Sequence, residues 1–183
     1  MRAFIALELP QEIKKALANG QEELKKAGVQ ARWVKPELSH LTLAFLGSIT
    51  PKKKEKVEAI LEEATKQVKP FSLRLQKVSA FPNLNNPRII FLDLEGEIEK
   101  LHFFVKLLKR GLKKEKIFFD DKPFACHITL GRIKRKQNLK KIINQIKLEK
   151  VKFVADKVSF MESTLTPSVP IYRTLKSYFL REH

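Results

Sequence analysis

The sequence predicts an α+β fold built from a duplicated unit, with two lobes that each hold a β-sheet and two helices. Three observations lead to this prediction. The order strand, helix, strand, helix, strand occurs twice along the chain. The tetrad His-apolar-Thr-Leu also occurs twice, in SHLTLAFLG (Ser39–Gly47) and in CHITLGRIK (Cys126–Lys134). The length of 183 residues and the hydrophobic fraction of 43% suit a single domain, expected over 1–183 with one tetrad in each lobe.

The first half of the chain predicts three strands and two helices from its apolar periodicity. Gly28 stands where the first helix should end, and Thr50 with Pro51 forms a cap and first turn for the second helix. In order, the elements are a strand (2–9), a helix (10–26), a short strand (31–34), the first tetrad strand and a helix (51–69).

The second half repeats this order and ends in two closing strands. The segment PNLNNP predicts a turn between the first two strands, and Asn138 is positioned to cap the last helix. In order, the elements are strands (71–81 and 88–94), a helix (97–112), the second tetrad strand, a helix (139–146) and strands (151–165 and 171–180) around the turn TPSVP.

The charge balance favours a polyanionic partner. Lysine and arginine number 37 against 20 aspartates and glutamates, which gives a formal net charge of +17. Such an excess attracts nucleic acids, so RNA is an expected partner. A heat-adapted surface rich in Lys and Glu is the alternative, but it would add charges of both signs.

The cysteine content and the apolar runs predict a cytoplasmic protein. Cys126 is the only cysteine, which excludes an internal disulfide and fits a reducing compartment. The opening segment MRAFIALELP lacks the pattern of a signal peptide, and no apolar stretch approaches the roughly 20 residues that span a bilayer. No membrane association is expected.

Each tetrad is predicted to form a two-sided strand, because residues two apart in a strand share a face. His40 and Thr42 would then face one side, and His127 and Thr129 would do the same in the second copy. The opposite, core-facing side would carry Leu41, Leu43, Phe45, Ile128 and Leu130.

Two imidazoles and two hydroxyls that converge on one cleft could cleave a phosphodiester. One imidazole would act as base and the other as acid, and the hydroxyls would donate to the phosphate oxygens. Ordinary sheet histidines are the alternative for either tetrad alone, and two histidines lack the third ligand of a catalytic zinc. We expect no cofactor and no metal. His102 and His183 are predicted to be non-catalytic, and Cys126 to be a core thiol.

The chain resembles the 2H phosphoesterase superfamily, and within it the RNA 2′,3′-cyclic phosphodiesterases historically called 2′-5′ RNA ligases. The similar segments are MRAFIALELP, RWVKPELSHLTLAFLG, FPNLNNPRIIFLDLEG, HITLGR and ESTL with IYRTLKSYFL. The resemblance covers nearly the whole chain. It implies two pseudo-symmetric lobes around a central cleft, each an antiparallel-type sheet with two helices on its outer face.

The resemblance also implies metal-independent opening of an RNA 2′,3′-cyclic phosphate to a 2′-phosphomonoester. His40 would donate a proton to the leaving 3′ oxygen, His127 would accept one from water, and Thr42 and Thr129 would hold phosphate oxygens. The reverse reaction would join RNA through a 2′-5′ linkage. The substrates would be RNA ends, including tRNA fragments, and the protein would be a monomer.

Cys126 departs from the family pattern, which commonly has proline there. Arg132 matches a trailing arginine of the family and could bind phosphate, although simple alternation places it opposite His127 unless Gly131 marks a bulge. Further candidate substrate-binding residues are Lys35, Phe81, Arg88 and Lys134. Two alternatives stay open, a non-catalytic RNA-binding module and a phosphodiesterase of a small cyclic nucleotide.

Overall fold

The computed structural model describes residues 1–167 and 169–181. The predicted non-catalytic His183 and residue Ser168 of the predicted turn TPSVP lie outside these residues. The strands are β1 (Arg2–Glu8), β2 (Ala31–Trp33), β3 (His40–Ser48), β4 (Phe71–Phe81), β5 (Ile89–Gly96), β6 (His127–Ile133), β7 (Lys152–Ala155), β8 (Lys157–Thr164) and β9 (Ile171–Phe179). The helices are α1 (Gln11–Lys26), α2 (Pro51–Thr65), α3 (Ile98–Lys114) and α4 (Lys140–Ile143), with a 3-10 turn at Pro36–Leu38.

The strands form two sheets whose pairings are all antiparallel. The first sheet has the order β3-β1-β8-β9, and the second has the order β2-β6-β5-β4-β7. The predicted α+β fold of two lobes is therefore confirmed. The lobes interleave, because β2 from the first half of the chain pairs with β6, and β8 from the second half pairs with β1.

The helices begin and end largely where the sequence predicts. The Thr50 side chain accepts a hydrogen bond from the Lys53 amide at 3.4 Å, which caps α2. After α1, Gly28 adopts a φ of +89°, and the Val29 amide donates to the Leu24 carbonyl at 3.0 Å. This is the left-handed ending that glycine favours. Asn138 Oδ1 accepts from the Lys140 amide at 2.9 Å, but the N-cap residue of α4 is Leu139, one residue later than predicted, and the helix forms only one turn.

The prediction of one continuous strand over 151–165 is wrong. β7 pairs with β4 in the second sheet, whereas β8 pairs with β1 in the first, and the chain passes between the sheets at Asp156. Only one residue separates the end of β7 from the start of β8, so the sequence shows no turn. Phe153 and Ala155 are buried in the second sheet, and Val158 and Phe160 are buried in the first.

A buried glutamine ties α1 to the second sheet. The Gln21 amide group donates to the backbone carbonyls of Val34, at 2.6 Å, and Leu130, at 3.0 Å. Both bonds satisfy a polar side chain that is otherwise enclosed by the core. They connect α1 to β6 and to the residue that follows β2. None of the helices in the described part of the chain has the length and apolar character needed to cross a lipid bilayer.

Candidate active site

The two tetrad strands occupy equivalent places in the two sheets. β3 pairs with β1 so that His40 lies opposite Glu8, and β6 pairs with β5 so that His127 lies opposite Asp93. β3 and β6 also approach each other across the two lobes. In both strands the histidine and threonine are partly exposed, and the leucines and isoleucine between them are buried. The predicted two-sided character of the tetrads is thus observed at each of these positions.

Both imidazoles are held by the same type of hydrogen bond, from Nδ1 to the backbone carbonyl of the residue two positions earlier. Nδ1 of His40 lies 2.9 Å from the Leu38 carbonyl oxygen, and Nδ1 of His127 lies 2.7 Å from the Ala125 carbonyl oxygen. Because a carbonyl oxygen only accepts, Nδ1 must carry the hydrogen in each ring. The neutral tautomer therefore has its lone pair on Nε2. Each ring is fixed in orientation and can take up or release a proton at Nε2.

The imidazole of His40 is largely buried and is surrounded by aromatic rings. Its ring centroid lies 4.8 Å from that of Phe4 and 5.1 Å from that of Tyr172, whose ring is nearly perpendicular to the imidazole. Burial lowers the pKa of His40, and the positive charge of Lys14 acts in the same direction. The hydrogen bond to the Leu38 carbonyl opposes this shift but does not cancel it.

The surroundings of His127 are more open and include a carboxylate. The rings of Phe81 and Phe91 stack on each other at 4.2 Å and meet the imidazole at 5.3 and 5.2 Å. Burial raises the pKa of Asp93, the cross-strand neighbour of His127, while the charges of Lys77 and His127 oppose that rise. The two histidines therefore share a backbone geometry and differ in what covers them.

A bulge in each tetrad strand decides where the later residues face. In β6 the pairing passes from Phe91–Thr129 to Ile90–Gly131, which leaves Leu130 as an extra residue. Alternation restarts after a bulge, so Arg132 lies on the same face as Thr129. The charge of Arg132 also acts on the phenol of Tyr172, whose pKa burial raises. The bulge that Arg132 requires to face the cleft is present.

The same shift in β3 overturns the prediction that Phe45 is a core residue. The pairing passes from Ala6–Thr42 to Ile5–Ala44, so Leu43 is the extra residue. Phe45 then lies on the histidine side and is 53% exposed. Strict alternation over the whole strand predicted the opposite face, because it assumed an unbroken ladder. Phe45 occupies the place in β3 that Arg132 occupies in β6.

The other candidate substrate-binding residues form two groups. The Arg88 amide donates to the Phe81 carbonyl at 2.7 Å, and the Arg88 carbonyl accepts from Ile133 at 2.9 Å, which joins the turn after β4 to the end of β6. Lys134 follows directly and is exposed. These residues therefore surround the end of the second sheet that holds Arg132. Lys35 is exposed at the start of the 3-10 turn that leads into His40.

Several residues near the histidines escaped prediction. Phe4, Phe91 and Tyr172 contact the imidazoles, yet they come from strands far apart in sequence, and only the strand pairing shows the contact. Glu8 also lies opposite a histidine. It accepts a hydrogen bond from Ser159 and pairs with Lys157 at 3.3 Å, so its carboxylate is occupied.

The remaining candidates lie outside this chemistry. Burial raises the pKa of the Cys126 thiol to about 12, so it stays protonated near neutral pH and is a poor nucleophile. His102 lies on α3 against Phe124, at 5.4 Å between ring centroids, and not beside the other histidines. Among the described residues, no group of three His, Cys, Asp or Glu side chains could hold a metal ion.

Comparison with known proteins identifies the family. The model of the LigT like phosphoesterase family matches this chain twice, over residues 7–91 and 92–172. The chain belongs to the LigT like phosphoesterase family. Each matched segment of this LigT like phosphoesterase contains one tetrad, His40 in the first and His127 in the second.

Two curated relatives of this LigT like phosphoesterase match it over nearly their whole length. It is 33% identical to the RNA 2′,3′-cyclic phosphodiesterase of Thermotoga maritima, over 96% of this chain and 93% of the relative. It is 34% identical to the protein of the same name from Archaeoglobus fulgidus, over 97% and 99%. A crystal structure of a protein from Thermus thermophilus matches with a TM-score of 0.85, 29% identity and full coverage of both chains.

Proposed function

We propose that the protein hydrolyses the 2′,3′-cyclic phosphate at the end of an RNA strand to a 2′-phosphomonoester. The observation that carries this proposal is the pair of imidazoles, each with Nδ1 bonded to the carbonyl two residues before it. Opening a cyclic phosphate needs one proton taken from water and one given to the leaving oxygen. Two full-length relatives named RNA 2′,3′-cyclic phosphodiesterase support the choice of substrate.

In the proposed mechanism, Nε2 of His127 accepts a proton from water as the water oxygen attacks phosphorus. The bond between phosphorus and the 3′ oxygen breaks, and Nε2 of His40 gives its proton to that oxygen. The Thr42 and Thr129 hydroxyls donate hydrogen bonds to the non-bridging oxygens, where negative charge develops. The products are a 3′-hydroxyl and a 2′-phosphate. These steps use only side chains of this protein, so they require no cofactor.

The burial of His40 bears on its role as the acid. A lowered pKa keeps the ring neutral in the free protein near pH 7. When the phosphodiester anion binds beside it, the negative charge favours the protonated ring. Because burial disfavours the charged form of the ring, the protonated His40 then donates its proton readily to the leaving oxygen. In this proposal, binding of the substrate causes His40 to take up the proton that it later donates.

Substrate binding is proposed for the residues around the cleft. Arg132 would pair with the phosphate, since a guanidinium suits phosphate oxygens. Phe81, 37% exposed and against His127, would stack on the terminal base. Lys35, Arg88 and Lys134 would contact the strand beyond it. The net charge of +17 supports a polyanion longer than one nucleotide.

The wider setting is part of the same proposal. Run in reverse, the two proton transfers would join a 5′-hydroxyl to a cyclic phosphate and give a 2′-5′ linkage. We expect RNA ends such as tRNA fragments as substrates, a monomeric protein, a cytoplasmic location and one domain over 1–183. The two matches of one family model, one in each half of the chain, support a duplicated origin of that domain.

The deciding experiment incubates the protein with an oligoribonucleotide that ends in a 2′,3′-cyclic phosphate and identifies the product. A 2′-phosphate, formed equally well in the presence of a chelator, is expected. His40→Ala and His127→Ala should each lower kcat by about 10²–10⁴-fold, and Lys147→Ala, at an exposed lysine outside both proposed sites, serves as the control with full activity. A 3′-phosphate would overturn the regiochemistry, and binding without any product would identify a non-catalytic RNA-binding module.

A substrate with sulfur in place of the 3′ bridging oxygen separates the two histidine roles. A thiolate leaves without help from an acid, because its conjugate acid is much stronger than an alcohol. His40→Ala should therefore regain most of its activity on the sulfur substrate, whereas His127→Ala should not. The opposite pattern would exchange the two assignments and keep the mechanism.

A further inference from the structure

A basic pocket lies on the outer side of α3, away from the two histidines. Its volume is about 470 Å³, within the range of small-ligand sites. Its lining includes the buried Val105 and two aromatic residues, Phe119 and Phe124, which we call the aromatic wall. Lys106, Arg110 and Lys113 also line the pocket. Nothing in the proposed chemistry uses this pocket.

The three cations form a stripe along one face of the helix. Lys106, Arg110 and Lys113 are spaced four and three residues apart, so successive side chains lie over one another. The stripe extends about 11 Å along α3. All three side chains are exposed, and among the described residues none of them pairs with a carboxylate. A row of unpaired cations is suited to a row of phosphates.

A fourth cation holds the aromatic wall in place. The Lys109 ammonium group donates to the Lys122 carbonyl at 2.8 Å and lies 3.6 Å from the Asp121 carboxylate. It also lies 5.6 Å from the ring centroid of Phe119. Asp121, the acidic residue in the pocket lining, thus pairs with Lys109. The segment 119–124 is fixed against α3 with its two aromatic rings presented to the pocket.

The same segment connects the pocket to the cleft. The Asp120 amide donates to the Phe45 carbonyl at 3.0 Å, and Phe45 is exposed on the histidine side of β3. Phe124 precedes His127 by three residues, a distance of at most about 11 Å along the chain. The Ala125 carbonyl between them orients the His127 ring. The pocket and His127 therefore lie at the two ends of one short segment of the chain.

We propose that the α3 pocket is a second binding site for the RNA strand, which holds the backbone phosphates and one base of nucleotides before the cyclic end. Lys106, Arg110 and Lys113 bind the phosphates, and Phe124 stacks on the base. This site gives the protein a preference for oligonucleotides over mononucleotides. The inference rests on the proposed function for its substrate, whereas the binding itself can be measured without turnover.

The test compares two variants that lose the same charge. In one, Lys106→Gln, Arg110→Gln and Lys113→Gln remove the stripe. In the matched control, Lys52→Gln, Lys147→Gln and Lys150→Gln remove three exposed lysines outside α3. Glutamine is a good helix former, so the fold should survive, and circular dichroism with thermal unfolding checks this. Each variant is assayed on a 2′,3′-cyclic mononucleotide and on a ten-nucleotide strand with the same end.

The stripe variant should raise KM for the oligonucleotide by about tenfold, as expected for three exposed charge pairs, and leave kcat/KM for the mononucleotide unchanged. Its binding should also depend less on salt, with the slope of log K against log salt reduced by about two. The control variant should match the wild type within about twofold on both substrates. An equal loss on both substrates, or an equal loss in both variants, would overturn the site.

Binding of a fluorescent, uncleavable oligonucleotide keeps the test independent of catalysis. If the wild type hydrolyses neither substrate, the proposed function fails, but a tenfold weaker Kd for the stripe variant would still support the site. If both variants bind the oligonucleotide as the wild type does, the RNA site is overturned, and an acidic protein surface becomes the candidate for the pocket.

Discussion

Replacing Tyr172 with alanine should uncover His40 and change its proton affinity. The Tyr172 ring makes T-shaped contacts with two others, at 5.1 Å from His40 and 5.2 Å from Phe4 between ring centroids. Each such contact contributes about 0.5–1.5 kcal/mol beyond area burial. The variant should therefore lose about 1–3 kcal/mol of unfolding free energy, equivalent to about 2–4 °C in Tm for each kcal/mol.

The pKa of His40 is the more specific readout. Burial is the largest cause of its lowered pKa, so water admitted by Tyr172→Ala should raise that pKa towards the ordinary histidine value. Titration of the His40 imidazole by NMR measures this directly. Tyr172→Phe is the matched control, because it keeps the ring and removes only a hydroxyl. A His40 pKa that stays the same in Tyr172→Ala would refute the attribution to burial.

The same shift predicts how stability depends on pH. A histidine with a lowered pKa in the folded state binds protons more readily when unfolded, so acid favours unfolding. The contribution of neutral His40 is complete above the unfolded pKa of about 6.5 and is lost as pH falls through the lower, folded value. His40→Gln should remove this part of the pH dependence in urea unfolding, and Tyr172→Ala should reduce it. A wild-type profile in His40→Gln would contradict the assignment.

Three further outcomes are expected. Gly96→Ala should lower the free energy of unfolding in urea by about 3 kcal/mol, because its Cβ would lie 2.6 Å from the Ser72 carbonyl oxygen at a φ of +113°. Gly28→Ala, whose Cβ would have no atom within 4 Å, should cost only about 1–2 kcal/mol, which comes from its positive φ. Equal losses in the two variants would contradict the steric argument. Cys126 should resist iodoacetamide at pH 8 in the folded protein and react once the protein unfolds, because burial raises the pKa of the thiol to about 12. Rapid alkylation of Cys126 in the native protein would contradict that burial. Arg132→Ala should raise KM for a cyclic phosphate by about 10–100-fold, with a smaller rise in Arg132→Lys, whereas an unchanged KM would place the guanidinium outside the site.

The sequence predicted the parts of the fold that depend on short-range patterns. Alternation and capping residues located the helices and strands, as at Thr50 and Asn138, whose side chains accept the expected backbone hydrogen bonds. The repeated tetrad identified both histidines and the faces of their strands. These features are encoded within a few residues of each other, so no knowledge of the tertiary fold was needed.

The features that the sequence could not predict arise from pairing between distant segments. The bulges after Thr42 and Thr129 exist only relative to β1 and β5, and they decide that Phe45 and Arg132 share the histidine side. The passage of the chain between sheets at Asp156 leaves no local sequence signal, because only one residue separates β7 from β8. A prediction from alternation counts residues along one strand, so it cannot detect a bulge residue, which is defined by the pairing with a second strand.

The duplicated strands and their unequal surroundings together explain how two identical groups could perform opposite tasks. The strand register and the hydrogen bond from Nδ1 to a backbone carbonyl orient the two imidazoles in the same way. The repeated sequence therefore accounts for the matching positions of the two Nε2 atoms. Phe4 and Tyr172 enclose His40, whereas Asp93 lies beside a more open His127. The aromatic cover over His40 lowers the pKa of that ring by burial. If substitutions at the covering residues left the pKa of His40 unchanged, the proposed division of roles would lose this support.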